Sequence, residues 1–573
     1  MTRSTFLATA LCAALVAASP VKRADSSSAS SGSPTITSAA SLSSASASSS
    51  TDSIGLSVSD TYPPVNTLPN TSLFPDESQV GYQQPTPTGV EPFAAQTAVS
   101  WPVRGDIFPL RVSSPAESGS SSNGTSSFEP NKYWGNLSPA FSVPSSHYGL
   151  DSASPVVPDT CNLVQAHIYF RHGARYPTTG SAPSEFADKL HNASLVGPID
   201  ATGELEFLNE WTYKLGAELL TPFGRKQNFE LGVEARNVYG GLLNNFTEQG
   251  TLPVFRTQSQ DRMVKTMLNF VAGMFGVPEY QDQVNVEIGI EAPGFINSGA
   301  PYESCPNEYS TPGSKAAVKF AEPYFNKTAA RLNSKIGGNL TLTASDITSM
   351  AQLCAYESVA LGYSSFCPLF TEEEFRVFEH AYDIQFHGNN GFGSPVAAAQ
   401  GLGYLQELTS RLQHQLITNF SMEVNQTLDG NTQTFPLNQS IYADAAHEVS
   451  IMNALVALNL TSLVKSGAPS ATALEDATFR ASYVVPFATN LQIQVLECSS
   501  YSPTKQIRFI VNDAVIPLTY EGCDPTEKNG LCAYDKVVSA LVNRIGEIDF
   551  SYDCTGNWTV PAYGSVSNGR VGH

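Results

Sequence analysis

Apolar and polar positions divide the 573-residue chain into two unlike parts. Residues 24–59 are dominated by Ser, Ala and Thr, and residues 60–130 continue with Pro, Ser and Gly around isolated apolar positions such as Trp101 and Phe108. Such stretches bury too little apolar surface to offset their chain entropy. Residues 20–130 therefore read as a Ser/Pro-rich propeptide and flexible stalk. From about residue 131 apolar periodicity becomes regular, and strand-like runs alternate with helical ones. That alternation predicts an α/β domain with a parallel sheet over residues 131–573.

Three predicted strand-to-helix junctions concentrate the polar chemistry. At the first, the β-rich run from Val164 to Phe170 stops at Arg171, His172, Gly173, Ala174 and Arg175. Ligands of open parallel sheets bind beyond the carboxyl ends of the strands, which is where this group falls. Arginine forks match phosphate oxygens and an imidazole can act as a nucleophile, so the turn is a candidate anion cup. A basic surface turn would have the same composition. At the second junction, Leu252 to Thr257 runs into Gln258, Ser259, Gln260, Asp261 and Arg262, followed by Met263, Met267, Phe270 and Met274 at helical spacing. The apolar stripe reads as core packing, Ser259 as a helix N-cap, and Arg262 as a first-turn cation where the helix N-terminus also favours an anion. At the third, Ile441 to Ala446 leads into His447 and Glu448 and then an apolar helical run through Val449, Met452, Leu455 and Leu458. His447 and Glu448 offer a hydrogen-bond donor and a general acid; ordinary capping of a helix start is the equal alternative.

Composition places this chemistry outside the cytosol. Residues 1–19 have the form of a signal peptide, with Arg3 as the positive region, an apolar run from Phe6 to Ala17, and small residues at Val16, Ala17 and Ala18. The run is too short to span a bilayer, and Lys22-Arg23 beyond it resembles a dibasic processing site. No later segment reaches the roughly 18 apolar residues of a transmembrane helix. Nine cysteines become eight without Cys12, an even number suited to four disulfides in an oxidising compartment. Twelve N-x-Ser/Thr sequons, Asn136 among them, predict N-linked glycans. The expectation is a secreted protein, extracellular or associated with the cell wall.

Charge narrows the partners. Lys and Arg number 31 against 52 Asp and Glu, a formal net charge of -21, which leaves no broad basic face for a nucleic acid. Of these, 26 basic and 43 acidic residues lie beyond residue 130, so the acidity belongs to the predicted domain. Any anionic substrate would need a local cationic pocket within that acidic surround.

The first motif continues as Arg171-His-Gly-Ala-Arg-Tyr-Pro-Thr178, and here the chain resembles the histidine acid phosphatases, in particular their secreted fungal acid phosphatase and phytase branch within the phosphoglycerate mutase-like superfamily. Further stretches agree: Trp134 to Phe141, Leu220-Thr-Pro-Phe-Gly224, Phe366 to Thr371, and Gln400 to Leu408. The resemblance covers about residues 131–560 and excludes the stalk. It implies that His172 is the nucleophile and forms a phosphohistidine, that Arg171, Arg175, Arg262 and His447 bind the phosphate, and that Glu448 protonates the leaving alcohol. Most relatives carry aspartate at that last position, so the extra methylene of Glu448 is a departure.

The resemblance also implies disulfides Cys161–Cys498, Cys305–Cys554, Cys354–Cys367 and Cys523–Cys532. The fold it implies is a doubly wound, mainly parallel α/β sheet with a helical subdomain inserted around residues 185–250 and parts of 315–430. No cofactor or metal is expected, since neither G-x-S-x-G, C-x-x-C nor H-E-x-x-H occurs and three arginines can supply the charge a cation would. Phytate-selective relatives have a lysine-rich wall beside the nucleophile loop; here Thr178 to Lys189 holds Lys189 as its only cation together with two acids. The expected substrates are therefore simple phosphomonoesters broadly, with phytate weaker. The alternative is a wall-associated glycoprotein in which a weak or inactive domain serves as a binding module; a phosphoglycerate mutase fits poorly with export and disulfides.

Overall fold

The computed structural model describes residues 62–79, 91–92 and 128–572. The proposed signal peptide, the dibasic site and most of the predicted stalk lie outside the described residues. Eight strands form one mixed sheet: β1 (Cys161–Arg171), β2 (Val254–Gln258), β3 (Asn285–Gly289), β4 (Ile441–Ala446), β5 (Asn490–Cys498), β6 (Lys505–Val511), β7 (Ala514–Ile516) and β8 (Cys532–Ala533). Their order is β3-β2-β4-β1-β5-β6-β7, with β8 beside β6. The four strands from β3 to β1 are mutually parallel, and β5 onward forms an antiparallel wing. This is the mostly parallel α/β sheet the strand and helix alternation predicts. β1 from Gln165 onward and β4 throughout are buried at every position because helices cover both faces.

Among the described residues nine helices have ten or more residues: α1 (Ala182–Val196), α2 (Pro222–Tyr239), α3 (Asp261–Phe275), α4 (Gly313–Asn333), α5 (Ala344–Leu361), α6 (Glu372–Asn389), α7 (Leu402–Gln413), α8 (Glu448–Ala457) and α9 (Tyr534–Glu547). On one face Ala166, Ile168 and Phe170 of β1 meet Leu231 and Tyr239 of α2 and Met267 and Phe270 of α3. On the other, Tyr169 packs with residues of α7, α8 and α9. A third core joins α1, α4, α5 and α6 into a helical body.

This corrects the expected insertion. Within residues 185–250, α1 and the segment from Ile199 to Leu215 enter the helical body, whereas α2 beyond Phe223 lies on the sheet. The reason is local: a Cβ on Gly232 would stand 1.9 Å from the Phe270 carbonyl oxygen, and one on Gly273 would stand 2.0 Å from that of Phe229. Two facing glycines thus allow α2 and α3 to cross in backbone contact. Of 315–430, α4, α5 and α6 join the helical body and α7 belongs to the sheet layers.

The stalk is corrected too. Residues 62–79 are seated on the domain rather than free of it. The Tyr62 hydroxyl donates to the Gln283 carbonyl, its ring stacks on Phe275 at 5.4 Å, Asn70 N donates to Asn285 Oδ1 at 2.7 Å, and Phe74 is buried. Tyr62 and Phe74 are the kind of isolated apolar residue that composition averages away. Disulfides join Cys161 to Cys498, Cys305 to Cys554, Cys354 to Cys367, and Cys523 to Cys532. The first locks opposed residues of β1 and β5, at the far end of β1 from Arg171.

Candidate active site

The register of two parallel strands builds the centre of the site. Arg171, the last residue of β1, pairs with Ala446, the last of β4. The residues that follow, His172 and His447, therefore emerge side by side, with ring centroids 5.6 Å apart and edge to face. Both imidazoles are buried.

The turn after β1 is pinned by the start of α2. Asn228 Oδ1 accepts from Gly173 N at 2.8 Å, its Nδ2 donates to the Arg171 carbonyl at 3.3 Å, and Gln227 Oε1 accepts from Ala174 N at 2.9 Å. Gly173 is required here, since a Cβ would stand 2.1 Å from the Gly224 carbonyl oxygen. His172 Nδ1 lies 2.8 Å from the Gly173 carbonyl, which can only accept, so Nδ1 carries the proton and Nε2 keeps its lone pair. Burial holds the His172 imidazole well below its usual range, and the Arg171 charge adds to this against Glu448.

Arg171 is fully buried. Its Nη1 donates to the carbonyls of Asn136 at 2.5 Å and Val485 at 2.8 Å, and its guanidinium lies over the Phe487 ring at 4.5 Å. Its Nε and Nη2 stand 3.0 and 2.9 Å from Glu448 Oε2, which also lies 3.3 Å from His172 Nε2. Burial alone would raise the Glu448 carboxyl, but the Arg171 charge, with help from Arg175, holds it well below the carboxylate range. Glu448 is thus an anion seated against the Arg171 guanidinium and beside His172.

Arg175 Nη1 donates to the Tyr176 carbonyl and Thr178 Oγ1, and its charge reaches Glu448 and Tyr356 of α5. Arg262, in the first turn of α3, pairs with Glu218 at 3.1 Å and acts on His172. Glu218 has a left-handed φ of 63° and bridges the site mouth, accepting from Thr179 N through its other oxygen at 3.0 Å. Two buried donors of the site, Arg175 Nε and Arg262 Nε, have no hydrogen-bond partner among the described residues. Buried guanidinium N–H groups left unpaired are costly, and an anion seated among them would satisfy them.

Every site residue singled out in the sequence thus converges on one cup. The smaller readings fare differently. Ser259 is not the N-cap: that place falls to Gln260, and Ser259 Oγ accepts from Glu291 N at 2.9 Å. His447 occupies the N-cap of α8 without capping it, because its Nε2 is engaged 2.9 Å from Glu291 Oε2. Lys189 is spent on Asp346 of α5 at 2.5 Å.

Glu291, Asn228, Glu218 and Asn136 were not found from the sequence. Asn136 Nδ2 lies 3.4 Å from Glu448 Oε1 and the residue is 7% exposed. Of the twelve sequons this one is buried in the site, so a glycan there is incompatible with the fold. His172, His447 and Glu448 bring potential metal-ligand atoms within 4.8 Å of one another. Flanked by Arg171, Arg175 and Arg262, that donor set sits in a field suited to an anion rather than a cation. Among the described residues no helix is long and apolar enough to cross a membrane.

Comparison with known proteins agrees with this geometry. Residues 162–512 match the family model of the histidine phosphatase superfamily, branch 2. Phytase A of Aspergillus oryzae is 32% identical over 425 residues, covering 71% of this chain and 87% of that protein. Phytase A of Neurospora crassa is 31% identical over 468 residues, covering 71% and 89%. The crystal structure of the phytase from D. castellii superposes with a TM-score of 0.62 at 22% identity, covering 77% of this chain and 92% of that one, and so shares the fold. A cup built on two neighbouring strand ends, found in a chain with relatives of this kind, leads to one assignment: the chain belongs to branch 2 of the histidine phosphatase superfamily and is a histidine acid phosphatase, hydrolysing phosphomonoesters through a phosphohistidine.

Proposed function

We propose that this chain is an exported, glycosylated acid phosphomonoesterase of broad specificity in which His172 is the nucleophile. The observation that carries the assignment is the unprotonated Nε2 of a buried neutral imidazole, set in a cup whose Arg175 and Arg262 each keep an N–H without an acceptor. His172 Nε2 attacks phosphorus in line as the ester P–O bond breaks, while Arg171, Arg175, Arg262 and His447 hold the non-bridging oxygens. The incoming phosphate displaces Glu448 from Arg171. Its carboxylate, deprived of that counter-charge and set beside a phosphate anion, then takes up a proton and delivers it to the leaving oxygen. In the second half, Glu448 accepts a proton from water as the water oxygen attacks phosphorus, the P–N bond breaks, and inorganic phosphate leaves with His172 restored.

Relatives bearing the name phytase support inositol phosphates among the substrates. Two features favour simpler esters: Lys189 is engaged by Asp346, and Glu218 places a carboxylate at the mouth where further phosphates would sit. The test is turnover of an aryl phosphate and of phytate by the intact protein and by His172→Ala at acidic pH. A labelled substrate should leave acid-labile phosphate on the intact protein and none on the variant. Activity retained by His172→Ala would refute the nucleophile, and a strong phytate preference would refute the specificity. Glu448→Gln should slow alkyl esters by about 10²–10⁴-fold and aryl esters far less, because an aryl leaving group needs little protonation.

A further inference from the structure

We infer that Glu291 is a positioning residue for His447: it fixes the ring's aim by accepting the Nε2 proton, so that a protonated Nδ1 is the nitrogen that donates to the substrate phosphoryl group. The inference rests on the proposed role of His447 as a phosphate contact. Glu291 follows β3 by two residues, and its position is set by the two strands beyond β4. Ser259 N donates to the Gly289 carbonyl at 2.9 Å, and Glu291 N donates back to Ser259 Oγ at 2.9 Å, which ties the segments after β2 and β3 together. The side chain reaches into the site fully buried.

Each carboxylate oxygen has a distinct task. Oε1 accepts from Gln260 Nε2 at 2.5 Å and from the Tyr302 hydroxyl, and Oε2 faces His447 Nε2 at 2.9 Å. Three donors converge on one carboxylate from three segments, and Tyr302 also sets its ring edge to face with His447 at 6.2 Å. The His447 charge and hydrogen bond, with help from Arg262 and Tyr302, hold the Glu291 carboxyl below its usual range although burial alone would raise it. An ionised carboxylate only accepts, so it requires a proton on Nε2. A buried carboxylate that orients an imidazole through one ring nitrogen while the other does the chemistry is an established catalytic device in other enzymes. Here the imidazole stands 5.6 Å from the nucleophile's ring, where a half-ångström drift of Nδ1 would loosen its contact with a phosphoryl oxygen.

The experiment is a double-mutant cycle of Glu291→Gln and His447→Ala, read as kcat/KM for an aryl phosphate, with thermal midpoints measured alongside. Glu291→Gln should lower kcat/KM about tenfold or more, chiefly through kcat, and should cost almost nothing further when His447 is already alanine, because the two act as a unit. Glu291→Asp, which keeps the charge on a shorter stem, should recover part of the loss. If Glu291→Gln does not fold, Glu291→Asp is read in the same cycle. A purely structural role predicts a lowered melting temperature and losses that add to those of His447→Ala, and that result overturns the inference. Unaltered kcat/KM in Glu291→Gln with an impaired His447→Ala overturns it alone. Full activity in His447→Ala overturns the reading beneath it as well.

Discussion

Asn228 is the side chain on which the geometry of the nucleophile turn depends, and its removal gives a quantitative test. It is fully buried at the start of α2, with Oδ1 on Gly173 N at 2.8 Å and Nδ2 on the Arg171 carbonyl at 3.3 Å. Asn228→Ala strips a donor and an acceptor from two backbone groups on either side of His172, neither of which water can reach. Each orphaned group costs about 1–3 kcal/mol, so the destabilisation should be about 2–5 kcal/mol, the shorter bond contributing more. Activity should fall further than stability. The turn sits against Gly224 with no room to move inward, since even a Cβ on Gly173 would overlap that residue's carbonyl, so it must relax outward and carry His172 with it. A shift of about 1 Å in a reacting group costs on the order of 10²-fold in rate. Urea unfolding gives the first quantity, and kcat for an aryl phosphate measured well below the unfolding midpoint gives the second. A variant within about 0.5 kcal/mol of the parent and within twofold in kcat would refute the claim that this amide holds the turn.

Three other expectations follow from charge. Because burial holds the His172 imidazole well below its usual range, kcat/KM should show no acidic limb near pH 6.5 and should persist down to the region of carboxylate titration; a limb with an apparent pKa near 6.5 would contradict the burial argument. Glu218→Gln should free Arg262 and tighten inhibition by inorganic phosphate about three- to tenfold, measured as a competitive inhibition constant; weaker inhibition would show that Glu218 shapes the cup rather than competing for it. Glu287 is pushed up to about 7 by burial, and burial also raises Glu423 and Asp429. A folded value above the unfolded one means the native state holds protons that the unfolded state releases, so this stability is complete below about pH 4.5 and is lost as pH rises through 7. Glu287→Gln removes this group's share, so the change in melting temperature from pH 5 to pH 8 should be more positive in the variant than in the parent at equal ionic strength, and an equal or more negative change would refute the sign.

What the sequence disclosed and what it withheld divide along a physical line. A strand that ends in Arg171-His172 and another that ends before His447-Glu448 are local patterns, and their meeting needs only the parallel pairing the alternation implies. Arg262 was legible for the same reason, as a cation in a first helical turn. Glu291 was not: it lies in Ile290-Glu-Ala-Pro-Gly294, a stretch without period or motif, and becomes chemical only when the segment after β3 folds over Ser259. Asn228 and Glu218 are polar residues whose partners sit more than 35 residues away. The placement of α2 depended on a glycine pair that only a helix crossing explains. Residues 62–79 misled for the opposite reason, since a polar, Pro-rich stretch was read by its average while Tyr62 and Phe74 anchor it.

The sheet order also fixes when the enzyme can first act. β4 slots between β1 and β2, both made long before it, and Arg171 and Glu448 are 277 positions apart. At about 5–20 residues per second, roughly 15–55 s of synthesis separate the nucleophile from the residues that complete its pocket. During that interval the emerging chain holds His172 beside an open seam in the sheet, without His447, Glu448 or the floor supplied by Phe487. The pocket around His172 is therefore closed by residues that are among the last of the sheet to be made.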